Sequence, residues 1–234
     1  MQQARAVIVD TETTGLDEPQ VIELGYSRAF TWGEELTSGA YAVQRFKPSK
    51  PIAPGAMAAH HIIEADLADC RPSPAQHAFD ADYLIGHNVD FDWKVLGSQP
   101  GIRRICTLAL ARFLYEDADS HSLGALMYYF YEPADARNLA KSAHSASHDC
   151  GLTFLLLKEI LHDMPEVSSF YDLWERSEEA RIPRRLTFGK YGPKDGKPGM
   201  LYTDVPTDYL DWMLKQSMEP EVITAARRER QKRL

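Results

Sequence analysis

The segment "AVIVDTETTGLD", residues 6–17, leads from four apolar or small residues into Asp10 and Glu12, with Gly15 three residues further on. The apolar run reads as a short buried strand. On a strand, residues i and i+2 project from the same face, so the two acids stand side by side, roughly 6.5–7 Å apart at their Cα atoms. Two carboxylates that close repel, and burial sharpens the repulsion. Either one holds a proton or a cation sits between them. A D-x-E pair alone is common. This one is singled out by its place at the end of an apolar strand, directly before "TTGL".

The surrounding chain has 234 residues, 44% hydrophobic and 26% charged, enough for a substantial core. No apolar run approaches the ~18 residues of a membrane span, and "MQQARAVIVD" does not read as a secretory signal. Cys70, Cys106 and Cys150 are odd in number and never form C-x-x-C, which argues against a disulfide framework and a zinc knuckle. A cytoplasmic location is expected. The net charge of −8 is unevenly placed: the last eleven residues, "TAARRERQKRL", carry +4, leaving −12 elsewhere. An acidic body does not suit a protein that coats nucleic acid nonspecifically. It suits an enzyme whose acidic pit holds metal ions. The basic tail reads as a fraying, solvated helix end with i,i+4 charge pairs.

Outward from the first strand, "VIELGYSRAFTW" (21–32) and "GAYAVQRFKP" (39–48) continue as an antiparallel meander. "DADYLIGHN" reads as a helix end entering a brief strand, "DFDWKVLG" as a helix, and "RRICTLALARFLYE" as a strand feeding a helix. "SHSLGALMYYFYE" is a helix capped by Ser120 or Ser122. "HDCGLTFLLLKEILHDM" is the strongest helix, with Leu152, Leu155, Leu156 and Ile160 at helical spacing. The order predicts an α/β chain with a mixed sheet. Near residue 166 the pattern changes to a polar stretch with room for a short helix. Two strands around a turn follow in "LTFGKYGPKDGKPGMLYTDVP", and then a helix, "TDYLDWMLKQ", capped by Thr207. The expected division is 1–165, a linker at 166–185, and a small hairpin-helix module at 186–234 with the basic tail.

Two further acidic spots accompany Asp10 and Glu12. After "YLIGHN" come Asp90 and Asp92, at the C-terminal edge where α/β sheets gather ligands. Either acid also suits the first turn of a helix, and their chemistry alone does not choose between them. In "AHSASHDCG", Asp149 opens the apolar helix and His144 lies five residues earlier, able to turn toward whatever Asp149 binds. His148 points elsewhere. A zinc site is disfavoured because Cys150 has no second thiolate nearby. Oxygen-only ligands favour Mg²⁺ or Mn²⁺. Four carboxylates roughly neutralise two divalent ions, and two ions about 3.5–4 Å apart suit in-line phosphoryl transfer, with a histidine taking the proton of water.

"DTETTGL", "HNVDFD" and "HSASHD" together resemble the three motifs of the DnaQ-like, DEDDh class of 3′→5′ exonucleases, over roughly residues 5–162. The resemblance implies a ribonuclease-H-like mixed five-stranded sheet flanked by helices. Its second motif, N-x-x-F-D, selects Asp92, and its third, H-x-x-x-x-D, selects His144 with Asp149. Metal ligation by Asp10, Glu12, Asp92 and Asp149 is thereby implied, with His144 as general base, two Mg²⁺ ions and Mn²⁺ as a substitute. Thr13, Gly15, Leu16, His60, Asn88 and Phe91 are implied to line the pocket for the 3′-terminal nucleotide. Asp90 is extra and has no assigned role. "PIAPGAMAAHHI", "ICTLALARFLY" and "FGKYGPKDGKPGMLYTDVPTDYLDWML" look most like the exodeoxyribonuclease X branch. That likeness implies DNA as substrate, with single-stranded ends or 3′ overhangs preferred.

Two other readings stay open. One is a 3′→5′ exoribonuclease or oligoribonuclease, which differs only in contacts to the 2′-hydroxyl. The other is a polymerase-associated proofreading subunit or noncatalytic adaptor, against which the intact set of acids speaks. Lys190, Tyr191, Lys194 and Lys197 are candidates for nucleic-acid contact; equally, "KDGK" reads as a solvated hairpin turn with the aromatics in the core.

Overall fold

The computed structural model describes residues 4–29, 38–141 and 145–234, without the side chains of Ala29 and Ser38. The strands are β1 (Ala6–Thr13), β2 (Val21–Ala29), β3 (Ser38–Arg45), β4 (Tyr83–Gly86) and β5 (Arg103–Cys106). The helices are α1 (Pro54–His60), α2 (Val89–Val95), α3 (Thr107–Leu114), α4 (Leu123–Phe130), α5 (Pro133–Ala140), α6 (Ala146–Asp163), α7 (Phe170–Ala180), α8 (Thr207–Met213) and α9 (Pro220–Gln231). The chain divides into two compact units, Met1–Ser177 and Glu178–Leu234. No helix among the described residues is long and apolar enough to cross a membrane.

The first unit is built on one mixed sheet of order β3-β2-β1-β4-β5. β1 pairs antiparallel with β2 and parallel with β4, so it lies at the centre. Ala6, Val7, Ile8 and Val9 are all buried, so both faces of the strand are covered. That explains a continuous apolar run where a one-sided strand would alternate. β4 is buried throughout for the same reason.

Helix α6 packs across β1, β2 and β3. Cys150, Thr153, Leu156, Leu157 and Ile160 recur along its buried face, the period that places residues on one side of a helix. Gly25 lets the start of α6 lie directly on β2. A Cβ at that position would sit 2.2 Å from the Ala146 carbonyl carbon.

Several local expectations change. β4 is entered from an irregular stretch, with no helix before it. Residues 30–32, expected to extend β2, lie outside the described residues. Ser122 does cap α4, its hydroxyl accepting from the Ala125 amide. Residues 170–180, inside the stretch read as a linker, form α7. Its Phe170 ring lies 5.7 Å from Tyr83, and Arg103 stacks over Tyr171 and Trp174.

In the second unit the two strands expected around "KDGK" reduce to isolated bridges, Arg185 with Leu201 and Lys194 with Lys197. Four glycines and two prolines in this stretch remove the side chains and donors that a longer ladder needs. Thr207 is the first residue of α8, not its cap.

The basic tail is packed rather than frayed. Ala225, Ala226 and Glu229 of α9 are buried. Beyond the helix, the Arg233 guanidinium donates to the carbonyls of Tyr202, Thr203 and Val205. The core beneath holds Leu186, Tyr202, Val205, Leu210, Met213 and Val222.

Candidate active site

The site forms at the C-terminal end of β1, where Asp10 and Glu12 share one face of the strand. Carboxylate oxygens of Asp10, Glu12 and Asp149 lie within 4.8 Å of one another. β1 supplies two of the three. Asp149 comes from the first turn of α6, 137 residues after Glu12 in the chain, delivered by the flush seating over Gly25.

Asp92 is buried on α2 and accepts a hydrogen bond of 2.7 Å from the Thr11 hydroxyl. It lies outside the group of three, yet its charge is felt by Asp10. Asp90 turns away into an ion pair of 2.6 Å with Arg104, whose guanidinium stacks 4.2 Å from the Trp93 ring. The acid that sequence chemistry could not separate from Asp92 is therefore engaged elsewhere. His144 lies outside the described residues. His148 donates its Nε2–H to the Leu139 carbonyl, a local tie within the helical layer.

The electrostatics answer the question raised by the two strand acids. Burial, then the charges of Asp92, Asp149, Glu12 and Glu23, hold the Asp10 carboxyl well above the usual carboxylate range. Burial, followed by Asp149, Glu23 and Asp92, lifts Glu12 to about 8. Asp92 is lifted to about 7, mainly by burial, against the lowering effect of the Thr11 hydroxyl. Without a cation this cluster retains protons at neutral pH. A divalent ion among hard oxygen donors supplies the missing positive charge, so the donor set fits Mg²⁺ or Mn²⁺. Cys150 lies under the cluster, with its thiol toward the Ile8 carbonyl and its ionisation suppressed by burial and by Asp10, Asp92 and Asp149.

Of the residues expected to touch substrate, Thr13, Gly15 and Leu16 lie at and just beyond the end of β1 and His60 is bonded to Thr13, whereas Asn88 and Phe91 follow the end of the parallel neighbour β4. The Thr13 hydroxyl donates to the Gly15 carbonyl at 3.1 Å. His60 is buried on α1; its Nδ1 accepts from the Ile62 amide, which leaves Nε2–H to donate to the Thr13 carbonyl at 3.2 Å. Leu16 is 88% exposed, an apolar side chain held in solvent beside acids. Asn88 is exposed and adopts a left-handed conformation, φ 75°, that turns the chain from β4 into α2. Phe91 is half-buried in the first turn of that helix.

Two site residues escaped the sequence reading. Thr11 fixes the Asp92 carboxyl, as above. Glu23 stands directly opposite Glu12 in the β1–β2 register and is buried. One of its oxygens accepts from Arg45 Nε at 2.7 Å, the other from the Ala146 amide at 3.0 Å. The carboxylate thus ties the first residue of α6, three before Asp149, to the sheet. Its signal was present in "VIELG", a lone acid inside an apolar strand.

A central antiparallel-parallel sheet, a helix seated over it and an acidic pit at the end of the first strand define a ribonuclease-H-like exonuclease fold. Comparison with known proteins agrees. The Exonuclease family model of ribonuclease T matches residues 7–157. Over 226 residues the chain is 30% identical to exodeoxyribonuclease 10 of Escherichia coli (strain K12), covering 92% of this chain and 94% of that protein. It is also similar to the solved structure of exonuclease X in complex with 5′-overhanging duplex DNA. There the identity is 29% and the TM-score 0.57, with 72% of this chain and 99% of that one covered. The zinc-bound complex of Escherichia coli exonuclease I with single-stranded DNA is similar in fold, at 18% identity and TM-score 0.57, covering 77% of this chain and 44% of that one. The chain belongs to the Exonuclease family, as a DnaQ-like 3′→5′ exonuclease, and such enzymes depend on divalent metal.

Proposed function

We propose that this exonuclease removes nucleoside 5′-monophosphates from the 3′ ends of DNA, preferring single strands or 3′ overhangs. The observation that carries the reading is the convergence of Asp10, Glu12 and Asp149 within 4.8 Å. Asp92 completes the set of four acids that would hold two Mg²⁺ ions, with Mn²⁺ as a substitute. When bound, the pair supplies Lewis-acid charge to the attacking and leaving oxygens of an in-line displacement. His144 accepts the proton of the attacking water. DNA is favoured because the full-length relative is an exodeoxyribonuclease and the similar structures hold DNA.

The rest of the site positions the terminal nucleotide. Thr13 and Gly15 present backbone along one side, buttressed by His60 through the Thr13 carbonyl. Leu16 and Phe91 offer apolar surface to the base, and Asn88 lies at the turn from β4 into α2. Catalysis rests with residues 1–165, the segment 166–185 joins it to the C-terminal module at 186–234, and the setting is the cytoplasm. Three free cysteines fit a reducing compartment.

The test uses 5′-labelled single-stranded DNA and a matched RNA strand, with Mg²⁺ or EDTA. The expected result is a shortening ladder on DNA that EDTA stops and that Asp10→Ala and His144→Ala each slow by about a thousandfold or more. Degradation that persists in both variants or without metal overturns the mechanism. Faster degradation of RNA overturns the substrate.

A further inference from the structure

The second unit carries a run of aromatic rings beside lysines that the carboxylate chemistry does not use. Tyr191 and Tyr209 meet edge to face at 4.9 Å, and Tyr209 lies 5.0 Å from Trp212 with the planes 34° apart. The two tyrosines pack partly against the unit's core, whereas Trp212 is 45% exposed and Phe188 36% exposed. The loop holding Phe188 and Lys190 is seated on this run by Gly189, at φ +74°. A Cβ there would lie 2.5 Å from the Tyr209 hydroxyl.

Lysines share the loop with Phe188 and Tyr191. Lys190 Nζ lies 5.0 Å from the centre of Tyr191. Lys194 and Lys197 pair through their backbones across an exposed turn. Residues 178–234 hold twelve Lys or Arg against nine Asp or Glu, a formal +3, so residues 1–177 carry −11 of the total −8. Of the nearby acids, Asp211 is bound by Arg230 at 2.7 Å, while Asp195 and Asp208 remain exposed on the same stretch.

Exposed rings accept unstacked bases whatever their sequence, and lysines beside them match the phosphates between those bases. A duplex keeps its bases covered and would leave the rings unused. We propose that the Phe188, Lys190, Tyr191 and Trp212 face is a binding surface for a single strand of DNA. Phe188 and Trp212 stack on bases, and Lys190, Lys194 and Lys197 meet phosphates. The identity of the ligand rests on the exonuclease reading above; the surface itself is independent of the acidic cluster.

The experiment follows binding of fluorescein-labelled (dT)20 to the full chain by anisotropy, in EDTA so that hydrolysis is stopped. Trp212→Ala is expected to weaken binding about tenfold, and Trp212→Phe to restore most of it. Lys190→Gln is expected to reduce the slope of log affinity against log salt by about 0.7, the share of one phosphate contact on a single strand. Addition of (dT)20 should quench tryptophan emission in the parent, with most of the quench lost in Trp212→Phe. Parental affinity and slope in all variants overturn the proposal. So does sedimentation showing that Trp212→Ala converts a dimer to a monomer, which assigns the face to a second copy. A parent that hydrolyses the p-nitrophenyl ester of thymidine 5′-monophosphate, while the variants bind (dT)20 normally, overturns this surface alone. A parent inert toward both ester and strand overturns the exonuclease reading instead.

Discussion

The two units use charge in opposite ways, −11 over residues 1–177 and +3 over residues 178–234. In the first, acids from β1 and α6 meet at one point, with Asp92 of α2 near enough for its charge to be felt; buried together, they lose water and raise one another's proton affinity. In the second, the strongest cations serve the fold. Arg230 holds Asp211, and Arg233 spans Glu229 and three carbonyls. Lys190, by contrast, is exposed and lies beside the Tyr191 ring. Net charge therefore says less about function than where the charge is desolvated and what it has been paired with.

The comparison is tested most severely at Glu23, the one carboxylate of the acidic pit that acts as a structural tie. Glu23→Ala leaves the Ala146 amide and Arg45 without their acceptor. A loss of about 2–4 kcal/mol is expected by urea unfolding, together with a fall in kcat of about a hundredfold as Asp149 shifts. Glu23→Gln, which keeps an acceptor for Ala146, should recover most of the stability. A parental kcat in Glu23→Ala would break the link between this tie and the pit.

A smaller effect concerns pH. Glu12 at about 8 and Asp92 at about 7 lie above their ordinary values of 4.5 and 3.8. The folded, cation-free chain thus holds protons that the unfolded chain has released. The contribution of these two groups to stability is therefore greatest below their ordinary values and declines as pH rises toward 8. Mg²⁺ replaces those protons, so the rise in Tm that it causes is expected to be several degrees larger at pH 8 than at pH 6. Thermal melts with and without Mg²⁺ across that range decide. A gain that shrinks with rising pH would mean the acids are not what binds the ion.

The smallest effect is expected at Asp90. Its bond to Arg104 is about one-third exposed on both sides, and such pairs contribute about 1 kcal/mol or less. Asp90→Asn should keep kcat within about twofold, whereas Asp92→Asn should not. Equal losses in the two would return the choice between these acids to where sequence chemistry left it.

Much of the first unit was legible because its signals are local. β1 is an unbroken apolar run ending in acids, and α6 repeats its apolar residues at helical spacing. What stayed hidden depends on partners far away in sequence. Thr11 and Asp92 are 81 residues apart, Glu23 and Ala146 123 apart, and no window that reads periodicity spans them. Asp90 and Asp92 looked alike because both sit in the first turn of α2; Arg104, on β5, is what tells them apart. In the second unit, alternating residues in "LTFGKYGPKDGKPGMLY" imitated strands. The carbonyls that the tail's arginine seeks lie about 30 residues upstream, so the tail looked like a solvated end.

The seating of α6 on Gly25 has a consequence for how finely the pit is gauged. Its width is set by an atom that is missing: the first methyl added at that place must lift the helix, and with it one of three oxygen donors. A cluster that must grip a small ion within tenths of an ångström has thus placed its calibration on the bare backbone of the neighbouring strand, away from any group that touches the reaction.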